Sequence, residues 1–128
     1  MLANRKPGSV NRLMRNSKIF KTIIHAIQQK KGERIVSLDL HKIPEAVTDF
    51  FVICHASSTT QVKAITDHVE DMVRKECGES PFRHEGQPGS QWALVDYVNV
   101  VVHVMHEEAR NFYKLEEMWS DASVTEHD

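Results

Sequence analysis

The sequence predicts an α/β (α+β) fold, a single domain in which a mixed β-sheet is flanked by helices. Three observations predict it. Apolar residues recur at helical spacing in two stretches, Ile19, Phe20, Ile23, Ile24, Ile27 and Val62, Ile65, Val69, Met72, Val73. Short runs rich in Val, Ile and Phe stand between and after these stretches. Helix and strand alternate early, and three strand segments then follow one another, which suits a mixed sheet ending in a meander. The 128 residues are enough to bury one core.

Residues 1–16, MLANRKPGSVNRLMRN, hold few apolar residues and four Lys/Arg, and read as a disordered basic extension. Ser17 is placed to cap a first helix, which Lys30, Lys31 and Gly32 end. ERIVSLDL (33–40) alternates as a strand, with Val36, Leu38 and Leu40 on one side. HKIPEAVT is a connection. DFFVICH (49–55) is apolar on both faces and reads as a central strand covered on both sides. A second helix runs over 59–77, and Gly78 stops it. SPFRHEG (80–86) is a weak strand, QPGS (87–90) a turn, and QWALVDY (91–97) and NVVVHVM (99–105) are strands. HEEARNFYKLEEMW (106–119) predicts a last helix with Ala109, Phe112, Leu115 and Trp119 facing inward. The domain is thus expected over 17–122, with 123–128 a frayed tail.

The junction ASSTTQ (56–61), between strand and helix, could hold a phosphate on free backbone N–H groups. Such a site usually wants glycine, and this junction has none. Ser58 and Gln61 instead fit the capping-box spacing, which accounts for the hydroxyls. A nucleotidyltransferase would need carboxylates converging on Mg²⁺, commonly an Asp-x-Asp pair on one strand face. Asp96 has Val98 at that spacing and Asp39 has His41, so the pair is missing. His103 and His106, with His55 and His84, form no metal-ligand pattern. Cys54 and Cys77 are isolated and read as small buried apolar residues of a reducing compartment.

No apolar run approaches the roughly 18–20 residues needed to cross a bilayer. The first sixteen residues lack the apolar segment of a secretory signal, although their want of acids is a transit-peptide trait. The net charge of −2 conceals an asymmetry. Residues 1–34 carry nine Lys/Arg and one acid, whereas 35–128 carry seven Lys/Arg and seventeen acids. An acidic body repels nucleic acid and attracts basic proteins, so direct nucleic-acid contact is left to the basic extension. SQWALVDY places Trp92, Leu94 and Asp96 on one strand face and Ala93, Val95 and Tyr97 on the other. Trp and Tyr are common interface anchors, and Trp92 could equally be core.

Three blocks in order, TDFFVICHASSTTQVKAI (48–65), EG followed by WALVDYVNVVVHVM (85–105) and ARNFYKLEEMW (109–119), resemble the Iojap family, the ribosomal silencing factors. The similarity covers about residues 18–122. The resemblance implies a nucleotidyltransferase-like sheet without catalytic carboxylates, no enzymatic activity and no cofactor or metal. It implies binding to a basic protein of the large ribosomal subunit, universal ribosomal protein fourteen, beside an intersubunit bridge. The bound factor would keep the small subunit from joining and lower translation when nutrients are short. Carried over by motif, the binding residues are Trp92, Leu94, Asp96 and Tyr97, with Glu85 and His103 as weaker members. Asp96 would pair with an Arg or Lys of the partner. Asp49 and Gln61 match as well, and a turn and a cap explain them. The resemblance further implies a possible homodimer and a bacterial cytoplasmic location, with mitochondrion or plastid as alternatives. The competing function is a nucleotide-binding or nucleotidyltransferase-like enzyme. The chain departs from the family at Val98-Asn99, where Gly-Asp is usual, which alters the hairpin and removes a charge beside the proposed surface.

Overall fold

The computed structural model describes residues 13, 14 and 17–128. Apart from Leu13 and Met14, the basic extension read over 1–16 lies outside the described residues. The elements in order are α1 (Lys18–Gln29), β1 (Glu33–Asp39), β2 (Phe50–Ala56), α2 (Thr59–Cys77), β3 (Arg83–Glu85), β4 (Trp92–Asp96), β5 (Val100–His106), α3 (Glu107–Tyr113), α4 (Leu115–Met118) and β6 (Ser123–Glu126). The strands form one six-stranded mixed sheet in the order β3-β4-β5-β2-β1-β6. β2 and β5 run parallel, and the other neighbours are antiparallel.

Each helix covers the sheet face that its apolar stripe can bury. Ile23, Ile27, Ile65 and Val69 of α1 and α2 pack with Phe50, Val52, Cys54, Val95, Val102 and Val104 in one core. Val36, Leu38, Ile53 and Met105 point the other way, under Ala109 and Leu115 of the shorter helices. A strand between two such layers is apolar on both sides, which is why the DFFVICH run occupies the sheet interior as β2. Gly78 adopts φ +68 at the end of α2, a left-handed cap that costs glycine nothing.

Two expectations are corrected. Residues 123–126 do not fray. They form β6, paired with β1 from Val36↔Glu126 to Asp39↔Ser123. Without β6, β1 would present an open row of N–H and C=O groups. His127 tightens the seam, its ring nitrogen lying 2.8 Å from Ser37 Oγ and its N–H donating to the Ile35 carbonyl at 2.9 Å. The last helix is also not continuous. Lys114 takes φ +50 and splits it into α3 and α4. Phe112, in α3 ahead of the break, points outward at 77% exposure, while Ala109 and Leu115 stay buried as expected. Trp119 packs partly buried against the second core.

The turn between β4 and β5 gives the Val98-Asn99 departure a physical form. Val98 sits at φ +76, a left-handed conformation that a β-branched residue resists. Asn99 Nδ2 donates to Asp49 Oδ2 at 2.9 Å. An Asp in place of Asn99 would set two carboxylates against each other there. Val98→Gly is therefore expected to stabilise the fold by roughly 0.5–1 kcal/mol, the relieved strain exceeding the added chain entropy. Urea unfolding checks this, and a less stable variant would show that contacts of the Val98 side chain outweigh its strain.

Candidate functional site

The site is built by strand register. Leu94 of β4 lies opposite His103 of β5, Trp92 opposite Met105, and Asp96 opposite Val101. On the outer side, β3 sets Glu85 opposite Leu94 and Arg83 opposite Asp96. Side chains directly opposite share a face. Five residues singled out from the sequence, Trp92, Leu94, Asp96, Glu85 and His103, therefore meet on the face that α3 and α4 cover only in part. Tyr97 does not join them. It lies buried in the opposite core with Val95 and Ala93, and burial pushes its hydroxyl well above the usual tyrosine range.

Trp92 and Leu94 are half-buried and Glu85 is exposed, whereas Asp96 and His103 are almost wholly buried. The Trp92 indole N–H donates to His103 Nδ1 at 3.0 Å. An Nδ1 that accepts leaves the proton of a neutral imidazole on Nε2. That buried nitrogen has no hydrogen-bond partner among the described residues. Burial lowers the His103 pKa from 6.5 to about 4, with neighbouring Asp96 opposing the shift, so the ring is neutral at pH 7. Asp96 Oδ1 accepts the Val98 N–H at 2.8 Å. Its Oδ2 lies 3.8 Å from Arg83 Nη2, and Arg83 Nε lies 3.3 Å from Glu85. Arg83 was not foreseen; its alternation with Glu85 along a short strand was the available signal.

Aromatic rings extend this face in a row. Phe51 of β2 packs edge-on against both His103 and Trp119, at centroid distances of 4.7 and 5.6 Å. Trp92 continues to Tyr113 at 5.0 Å, and Tyr113 to Phe112 at 4.9 Å. Ring pairs in tilted and edge-on arrangements attract beyond their buried area. The row runs from half-buried Trp119 to Phe112, which is open to solvent.

The alternative chemistries meet occupied groups. Ser58 Oγ accepts the Gln61 N–H at 3.1 Å and so caps α2. The Gln61 side-chain amide does not complete the capping box; it donates instead to the Lys30 carbonyl at the end of α1. His106 Nδ1 accepts the Glu108 N–H and caps α3, and His84 is hydrogen-bonded to Glu70. His55 accepts from Arg110 at 3.0 Å, and burial together with that cation lowers its pKa. Among the described residues no cluster of three or more His, Cys, Asp or Glu could hold a metal ion. Burial pushes the Cys54 thiol up to about 12, out of reach of a thiolate nucleophile. Among the described residues no helix is long and apolar enough to cross a membrane.

Fold and face together define a mixed-sheet α/β domain with a half-open aromatic surface rimmed by acids. The family model described as "Ribosomal silencing factor during starvation" matches residues 14–128, and the chain belongs to the ribosomal silencing factor (Iojap) family. It is 39% identical over 113 residues to Ribosomal silencing factor RsfS of Halalkalibacterium halodurans, covering 88% of this chain and 95% of that one. A crystal structure of a Chromobacterium violaceum protein superposes with a TM-score of 0.75 at 34% identity, covering 80% of this chain and 84% of that one. A more distant relative, named "Mitochondrial assembly of ribosomal large subunit protein 1", comes from Mus musculus. It is 33% identical over 75 residues, covering 57% of this chain and 33% of its own length.

Proposed function

We propose that this chain represses translation by binding the large ribosomal subunit and sterically blocking the small subunit from joining. The partner is a basic ribosomal protein, universal ribosomal protein fourteen, and no catalytic step is involved. One observation carries the reading. Trp92 is only partly buried, yet its indole is oriented by His103 and its ring is flanked by Tyr113. An oriented aromatic that keeps part of its surface in water suits an interface anchor, since little side-chain entropy is lost on binding. Glu85 at the rim adds the charge a basic partner seeks, and Arg83 between Glu85 and Asp96 holds both carboxylates in place. The names of the relatives, silencing factor and large-subunit assembly protein, point the same way. The bacterial relative is consistent with work in a bacterial cytoplasm.

The test is a sucrose gradient of purified subunits at a Mg²⁺ concentration that favours joining. Added protein is expected to hold the subunits apart and to travel with the large one. Trp92→Ala is expected to weaken large-subunit binding by about 2 kcal/mol or more, a loss of roughly thirty-fold, and to restore joining. Circular dichroism confirms that the variant is folded. A folded variant that blocks joining as well as the parent would place the binding face elsewhere.

A further inference from the structure

We propose that the kink between α3 and α4 forms a second part of the docking surface, with Phe112 and Tyr113 inserting into an apolar spot on the same basic partner. This deepens the reading above and rests on it. The starting observation is the outward turn of Phe112. Its ring is 77% exposed and Tyr113 is 51% exposed, and neither belongs to either core. Single exposed aromatics need no explanation. Here, however, Phe112 packs edge-on against Tyr113, and Tyr113 packs against Trp92, so the pair continues the proposed face through Tyr113.

The kink is also held rigid, at some expense to the fold. Arg110 is buried to 3% exposure directly beneath it. Its guanidinium donates to the Arg34 carbonyl at 2.7 Å, to His55 Nδ1 at 3.0 Å and to Glu116 of α4 at 2.6 Å. One side chain thus ties α3 to α4 and both to the start of β1. Lys114 is held in the left-handed region between them. Aromatics fixed before contact lose little entropy on binding.

Charge selects the occupant. Glu107 and Glu108 of α3, and Glu117 and Asp121 beyond the kink, are exposed on the same short segment, and among the described residues none lies within ion-pair distance of a Lys or Arg. Opposed against a second copy of this acidic face they would repel; opposed against a basic protein they attract. The partner surface that fits is therefore a hydrophobic spot bordered by Lys and Arg.

Purified large subunits are titrated with the parent, Phe112→Ala, Trp92→Ala and Glu117→Lys, and binding is read by co-sedimentation at two salt concentrations. Phe112→Ala is expected to weaken binding about ten-fold or more with an unchanged melting temperature, because so exposed a ring contributes little to the fold. Glu117→Lys is expected to weaken binding mainly at low salt. If the parent and Phe112→Ala bind alike while Trp92→Ala is impaired, the kink is not part of the surface and the silencing reading stands. If the parent itself does not bind, both readings fall. If Phe112→Ala only converts a dimer to a monomer in sedimentation velocity, leaving subunit binding intact, the occupant is a second copy and the proposal is overturned.

Discussion

Arg110→Ala is expected to destabilise the protein by about 3 kcal/mol, the cost of removing a buried and fully engaged cation. From sequence, Arg110 sits in a polar helical stretch and looks like a solvated residue. In the structure it is 3% exposed and its guanidinium makes five hydrogen bonds to four acceptors. Removing it strands the Arg34 carbonyl, deprives His55 of its donor and leaves Glu116 without its cation. Burial works against the Glu116 charge, and Arg110, with a backbone hydrogen bond and the more distant Arg34, outweighs it and keeps the carboxyl below the ordinary glutamate range. Glu116 keeps about a quarter of its surface in water, so the usual range of about 3–5 kcal/mol for breaking a buried pair applies at its lower end. Arg110→Lys should recover only part of the loss, because an ammonium cannot reproduce the planar fork that reaches carbonyl, imidazole and carboxylate together. Urea unfolding at pH 7 measures all three proteins. A loss below about 1 kcal/mol for Arg110→Ala would mean that water takes over its hydrogen bonds.

What sequence reasoning could see follows from what each signal reports. Burial periodicity reports contact with a core, and it located β2, α2 and β5 closely. Glycine reports a left-handed residue, and Gly78 stops α2 where expected. The misses are places where structure is set by something else. SVTE carries one apolar side chain, Val124, and that side chain is 54% exposed, so β6 exists through backbone pairing with β1 and leaves no periodic trace. Lys114 does the work of a glycine at φ +50, which no propensity would suggest. Phe112 lies on α3 three residues after Ala109, a spacing that predicts an inward side chain, yet it points to solvent. The candidate face was partly legible: alternation along β4 grouped Trp92, Leu94 and Asp96 correctly and set Tyr97 on the other side. The partners that complete it, Arg83 from β3 and the ring of Phe51 from β2, come from distant segments. Only the strand order β3-β4-β5-β2 brings them within reach.

The second large effect is set by pH. His103 is neutral in the fold, with a pKa near 4, against 6.5 for an ordinary histidine. Below pH 6.5 the unfolded chain therefore takes up a proton that the folded chain refuses, and stability must fall as the pH falls. The contribution is complete above pH 6.5 and is lost progressively down to about pH 4, by an amount on the order of 3 kcal/mol. His55 is displaced in the same direction, by burial and by Arg110, and adds to the slope. His103→Gln removes the titration while its amide oxygen can still accept from Trp92. Unfolding measured from pH 7 to pH 4 is expected to show a flatter decline for His103→Gln than for the parent, and equal slopes would sink the assignment. The same proton also reaches the docking face. A protonated His103 can no longer accept the indole N–H of Trp92, so the anchor loses its orientation before the fold is lost. In a Trp119→Phe background, where Trp92 is the sole indole, its fluorescence should shift at a higher pH than the one at which the helical signal collapses. That ordering follows only if the hydrogen bond to His103, and not packing alone, holds Trp92 in place.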